Sequence, residues 1–494
     1  MSKATFATLV AQMENDIRSG DKLVARRKLR AVSPRRVPRP QRILLAALAR
    51  RAEVPALGIS VLAPVVRPAS GKSDASDAEK SEYAACLVRL GAETEALTLL
   101  DTVDAKRHPG ALLYRAFALV NEWEYARTIP LLEQFIATGS DDYLKLVARV
   151  NLAAALVFER RHGDAARIIA ALTGETAQLP LVHHNALELA AQNLIFQGDW
   201  AAAKAALKKV EEFAKKTGGV DALLIRKWGA LLRLLRDGAS PITLAEWQEV
   251  RAEAKARGLW ETVRTCDRFR ASSTKDAALW LKLYFGTPYS EFRKKLVAEF
   301  PSPPPLPPSY AWYPGGEATA KHSIDLGTGE LDGRPALRPG MLQHRLVFVL
   351  ASDFYRPLRT ASIHARIYPR DYFSPSSSPA RVRQALATLR RWLAARHLSI
   401  AIEETDGTYR FSGKGVAFQV PLTRAPDDLE SARLVELRGR LGAAPFGAAE
   451  VARALGVPLR SAQRLLQKGV ERGGVTRSGS GNAVKYQFVT ISKG

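Results

Sequence analysis

Between Phe300 and Gly316 the chain reads FPSPPPLPPSYAWYPGG, and no helix can run through it. Consecutive prolines fix φ and remove backbone donors, so the stretch is expected to be extended and semi-rigid. It cuts the 494 residues into two unlike parts. Before it lie about 300 residues of nearly continuous helical pattern, rich in Ala and Leu and broken by short polar turns. After it the elements are short and mixed. The division predicts a helical domain over 1–300, a proline-rich linker over 301–315, and two small α+β domains over 316–424 and 425–494. The fold class expected is mainly α.

The helical part carries a loose repeat. A small or polar residue opens a segment that reaches an alanine five positions later, at Gly91 to Ala96, Asn121 to Ala126 and Gly198 to Ala203. Trp123 and Trp200 stand two residues after the opening, and RHGDAA keeps its alanine at Ala166. Gly20 to Ala25, and Gly258 to Val263 with Trp260, are further candidates. Spacings of 30, 40 and 37 residues bracket the 34 of a known repeat, and the segment resembles degenerate tetratricopeptide repeats. Small residues let paired helices approach, and the aromatic fills the gap between pairs. The resemblance implies a solenoid that docks a protein or peptide, or senses a signal.

Beyond the linker, Ser323 to Arg338 predicts short strands broken at glycines. MLQHRLVFVLA then places Leu342, Leu346, Val349 and Leu350 on one helical face. A short helix is expected at Ala361 to Ile367. In PARVRQALATLRRWLAARH, Val382, Leu386, Leu389 and Leu393 form one stripe. LSIAI and TYRF, joined through Asp406-Gly407, predict a hairpin. Three helices and a hairpin describe a winged helix, which lays its third helix in a DNA major groove. With Leu389-Arg390 late in the third helix and Gly407-Thr408-Tyr409-Arg410-Phe411 closing the wing, the region resembles the DNA-binding domain of the OmpR/PhoB response regulators. No phosphoacceptor receiver domain is evident beside it. The resemblance implies double-stranded DNA as a partner, and RNA polymerase as a partner of the loop Tyr368 to Pro379.

Opposite the leucine stripe fall Gln384, Thr388 and Arg391, flanked by Arg381 and Arg383, and these are expected to face DNA. Arginine can pair bidentately with guanine and glutamine with adenine. The hairpin departs from the family in carrying Glu403, Glu404 and Asp406 where an arginine is usual, and acidic groups there repel phosphate.

A second winged helix is expected at the end of the chain. Arg433 to Leu441 reads as its first helix, Ala448 to Leu455 as its second, and Leu459 to Arg472, after the turn Gly456-Val457-Pro458, as its third. The stripe Leu459, Ala462, Leu466 and Val470 should be buried, leaving Arg460, Ser461, Arg464 and Lys468 toward DNA. Two strands around Gly479-Ser480-Gly481-Asn482 form the wing, with Arg477 and Lys485 on its flanks.

The net charge of +24 favours a polyanionic partner. Its distribution agrees, with +9 in residues 1–60, +5 in 316–429 and +7 in 430–494. No apolar run of 18 residues and no signal-peptide core occur, so a cytoplasmic, nucleoid-associated protein without membrane contact is expected. Cys86 and Cys266 are too few and too far apart for a disulfide framework or thiolate site, and read as buried small hydrophobes. Gly71-Lys72-Ser73 lacks the glycine five residues earlier that a phosphate loop needs, where Val66 stands; the stretch around it reads as a flexible polar loop. His183-His184 point in different directions on a helix and read as structural. No zinc or nucleophile motif is found, so neither metal, cofactor nor enzymatic activity is expected. The competing reading is a tetratricopeptide scaffold whose winged helices bind proteins.

Overall fold

Seven helix pairs of one kind fill most of the first 300 residues. In a computed structural model of the protein, residues 3–18, 22–217, 221–316, 320–422, 434, 437–438, 440–442, 444–471, 473–479 and 484–489 are described. The chain is mainly helical and divides into two units, Met1–Pro304 with Tyr372–Pro379, and Pro305–Asp371 with Ala380–Gly494. Among the described residues, no helix is long and apolar enough to cross a membrane.

In the first unit Arg39–Arg51 pairs with Pro55–Val66, Asp77–Leu90 with Glu93–Leu100, and Gly110–Asn121 with Tyr125–Thr138. Asp142–Phe158 follows with His162–Glu175, Pro180–Gln197 with Trp200–Thr217, Ala222–Asp237 with Pro241–Ala256, and Trp260–Thr274 with Ala277–Phe285. Each turn contains one residue of positive φ: Glu53, Gly91, Trp123, Arg160, Gly198, Gly238 and Lys275, spaced 32 to 40 residues apart. In six of them the following amide donates to the carbonyl five residues back, as in Ala92 to Leu87 (3.0 Å), Glu124 to Leu119 (2.9 Å) and Arg161 to Leu156 (2.9 Å). This Schellman closure satisfies the last carbonyls of the first helix and reverses the chain.

Counting five residues from the positive-φ position reaches Gly58, Ala96, Thr128, Ala165, Ala203 and Thr243, all small and buried, and in the last pair Trp280. A Cβ at Gly58 would stand 2.6 Å from Cys86 Sγ, so the helices touch there. Ala126 and Ala166, expected in this role, are exposed, and Thr128 and Ala165 take it. The count begins at the left-handed residue, not at the polar residue that opens the segment. Trp123 is buried edge-on against Phe158 (5.8 Å) and Phe292 (4.8 Å), the packing expected of it, while Trp200 is half-buried. Gly258 has the same turn geometry but joins successive pairs, and Gly20 lies outside the described residues.

Part of the basic excess near the N-terminus is structural. Arg50 is held between Glu82 (2.7 Å) and the Tyr114 hydroxyl (3.2 Å); Arg39 bridges Asp74 (2.7 Å) and Glu79 (3.0 Å); Lys28 meets Asp16 (2.7 Å), and Arg26 meets Glu53. Within the presumed flexible loop, Ser76 caps the helix Asp77–Leu90 with a capping box closed by Glu79. His183 Nδ1 lies 3.2 Å from the Thr176 hydroxyl, and His184 Nε2 lies 3.6 Å from Glu188, both local packing contacts. Cys86 and Cys266 are buried and free. Residues Tyr372–Pro379 belong with this unit: the Phe373 amide donates to Glu95 (2.9 Å), and Arg67 lies 3.7 Å from the centre of the Tyr372 ring.

The second unit holds the strands. β1 (Ser309–Trp312), β2 (Ala320–Asp325), β3 (Glu330–Leu331) and β4 (Arg334–Pro335) come first, then β5 (Leu358–Arg359), β6 (Ile400–Thr405), β7 (Thr408–Gly413), β8 (Gly415–Pro421), β9 (Val475–Ser478) and β10 (Lys485–Phe488). One sheet has the order β1-β8-β2-β3-β4, with β2 and β8 parallel; a second has the order β5-β7-β6, and β9 pairs with β10. β1 lies inside the stretch expected to be linker. Its residues SYAW include no proline, so their amides can pair with β8, and Trp312 stacks on Phe354 (4.5 Å) and Phe418 (5.6 Å).

Candidate nucleic-acid interface

Three helices, Leu342–Leu350, Thr360–Ile367 and Ser378–Ala395, precede the β6–β7 hairpin. In the last of them Val382, Leu386, Leu389 and Leu393 are buried together with Ala385 and Trp392. Burying one such leucine contributes about 1.5–3 kcal/mol, so this stripe fixes which face remains outside. Arg381, Arg383, Gln384 and Arg391 are exposed and Thr388 half-buried, so all five expected side chains share the solvent face or its edge. Leu342, expected in the core, is 37% exposed, and Val347 is buried instead. The N-terminal turn of that helix projects past the core, and Leu342 borders a groove of about 450 Å³ with Leu346, Tyr368, Arg381, Gln384 and Thr388.

Three of the four arginines of this helix already have partners, Arg383 being the exception among the described residues. Arg381 meets Asp371 (2.7 Å) and lies 4.0 Å from the centre of the Tyr368 ring. Arg391 donates to the Thr388 hydroxyl (3.2 Å). Arg390 reaches the Ile402 carbonyl (2.9 Å) and ties the helix to β6. Burial, with the Arg381 charge added, pushes His364 down to about 4, so it is neutral at pH 7.

The hairpin turns through Asp406 and Gly407, both at positive φ, as the dipeptide predicts. Glu403 pairs across the strands with Arg410 (2.9 Å), whose guanidinium holds the carboxyl below its ordinary range. Glu404 and Asp406 remain exposed.

In the last part of the chain the helices Ala448–Leu455 and Leu459–Glu471 are joined through Gly456, which caps the first in the left-handed region. The expected first helix, Arg433 to Leu441, lies partly outside the described residues, as do Arg472 and wing positions Ser480, Gly481 and Asn482. Leu437 is buried against Val451, Ala462, Leu465, Leu466 and Phe488. Leu459, expected in the stripe, is 49% exposed; Leu465 and Gly469 complete it, and Val470 is half-buried. Leu459 opens the helix directly after Pro458, one turn beyond the core. At Gly469 an added Cβ would lie 3.0 Å from Val475 Cγ2, so helix and strand approach closely there and a side chain would press on Val475.

Arg460, Ser461 and Arg464 are exposed on one face, with Lys468 half-buried behind them. Arg477 on β9 and Lys485 on β10 are exposed too, and Arg477 faces Tyr486 across the ladder. No carboxylate lies within ion-pair distance of Arg460, Arg464, Arg477 or Lys485 among the described residues. Among those residues no group of three His, Cys, Asp or Glu side chains could hold a metal. Comparison with models of protein families, with curated proteins and with solved structures finds no match.

Proposed function

We propose that the chain is a DNA-binding transcription regulator. Helices Ser378–Ala395 and Leu459–Glu471 act as recognition helices of two winged helices, and the helix pairs form a tetratricopeptide-like repeat domain that serves as sensor or protein-docking module. One observation carries the reading: both helices bury an apolar stripe, present Arg with Gln, Ser or Thr to solvent, and are followed by an antiparallel hairpin. Phosphate contacts supply affinity and base edges supply selectivity. Two modules on one chain raise each other's effective concentration.

A second reading has its own support in the first region. Exposed Glu404 and Asp406 at the hairpin and the partly apolar groove beside Leu342 suit a protein surface better than phosphate. Under it the chain is a tetratricopeptide scaffold, with RNA polymerase a candidate partner. Titration of the full-length protein against duplex DNA over a range of salt separates the two. A regulator loses affinity with a log–log slope of about −0.9 per neutralised phosphate, and selection from a random library enriches a motif. Absence of binding at low salt would reject it.

A further inference from the structure

The helical unit contains a cavity that the DNA-binding reading does not use. It measures about 330 Å³, within the range of small-molecule sites, and is walled by the first helices of four successive pairs, Asp142–Phe158, Pro180–Gln197, Ala222–Asp237 and Trp260–Thr274. Its apolar lining combines four aromatic residues, Phe158, Phe196, Trp228 and Phe269, with aliphatic side chains such as Val150 and Leu189. Phe196 lies parallel to Phe269 (5.9 Å) and edge-on to Trp228 (6.2 Å), and Phe158 closes one side.

The carboxylates in these walls have hydrogen-bond partners, whereas one cation does not. Glu188 accepts from Trp228 Nε1 (2.6 Å) and Gln192 Nε2 (3.0 Å) and faces His184 (3.6 Å). Glu299 accepts from Arg160 (3.0 Å) and from Arg268, so two guanidinium groups share one carboxylate. Lys227 is 9% exposed and lines the cavity, and among the described residues its ammonium has no hydrogen-bond or ion-pair partner. It lies 4.3 Å from the centre of the Trp228 ring, and the Glu188 carboxylate on the same wall attracts it through space without a hydrogen bond. A buried ammonium without an acceptor costs several kcal/mol, a cost that an incoming anion would remove.

We infer that this cavity binds a small aromatic monocarboxylate, its carboxylate on Lys227 and its ring among Phe196, Trp228 and Phe269. The lining carries three cations, Arg160, Lys227 and Arg268, against two carboxylates, Glu188 and Glu299, and this excess of one positive charge favours a single negative charge on the ligand. The cluster of Phe196, Trp228 and Phe269 favours a planar body on that side, since offset or edge-on ring contacts add to area burial. The inference names the class of ligand for the proposed sensor module, but it rests on the first unit alone and stands or falls apart from DNA binding.

Isothermal titration of the full-length protein tests it with benzoate, 3-phenylpropionate and indole-3-acetate, each beside its neutral amide. The expected result is one site, at least one acid binding ten times or more tighter than its amide, and loss of that difference in Lys227→Met with unchanged far-UV circular dichroism. Equal binding of acid and amide, no binding of any acid at 10 mM, or an undiminished preference in K227M would overturn it. The comparison of acid with amide on the unaltered protein needs no variant to fold. Failure here leaves the duplex titration untouched.

Discussion

The two candidate recognition helices are both amphipathic and both basic, but they spend their charges differently. On Ser378–Ala395 the arginines are largely engaged inside the domain, Arg381 with Asp371, Arg391 with Thr388, and Arg390 with the Ile402 carbonyl. On Leu459–Glu471, Arg460 and Arg464 face solvent without such partners among the described residues. A cation already paired gains less from a phosphate than a free one, because the internal pair must first be given up. The helix with four arginines therefore need not contribute more to DNA affinity than the helix with two. The second helix should supply more of it, and the first more orientation or a protein contact.

The same residue type in the two helices sharpens the contrast most. Leu389→Ala removes a fully buried side chain and should cost about 2–5 kcal/mol in urea unfolding, whereas exposed Leu459→Ala should stay within about 0.5 kcal/mol. Similar costs for both would mean that the second helix is rotated from the placement described. Next in size, the Arg460→Ala/Arg464→Ala double variant should lower duplex affinity about 100-fold and flatten the salt slope by about 2, if each arginine neutralises one phosphate. Arg381→Ala should lower affinity only about threefold. The reverse order, read from fluorescence anisotropy at fixed salt, would move the main reader to the first helix.

The smallest effect concerns acid. His364 titrates near 4 when folded, below the 6.5 of an unperturbed imidazole, so the unfolded chain binds the proton first. Its stability contribution is fully present above pH 6.5 and is lost as pH falls toward 4. The last 70 residues contain no histidine, so the first region alone should show this loss. Thermal midpoints of wild type and His364→Gln, compared between pH 7 and 4, should converge as the pH drops. A constant difference would remove His364 from the account.

Several elements were legible because periodicity alone decides them. The stripe Val382, Leu386, Leu389, Leu393 recurs every three or four residues and is buried as written, and Asp406-Gly407 marks its turn because both positions take positive φ. Other elements left no such mark. β8 was not anticipated: its short run Val416-Ala417-Phe418 lacks alternation, and it becomes a strand through partners over 90 residues away, β1 and β2. The helix-pair turns were blurred because four of seven left-handed positions are not glycine, namely Glu53, Trp123, Arg160 and Lys275.

What the sequence settled by itself is local: where helices run, which face of each is apolar, and where proline ends the helical part. These follow from one residue's backbone freedom and the hydrophobicity of its neighbours three and four positions away. What only the tertiary structure decided is which charges are already spent and which is stranded. Arg39 and Arg50 look like a basic arm until Glu79 and Glu82 are brought beside them from a later helix, and Lys227 looks like any surface lysine until four helices close around it. Charge pairing depends on distance in space, and no spacing along the chain fixes that distance.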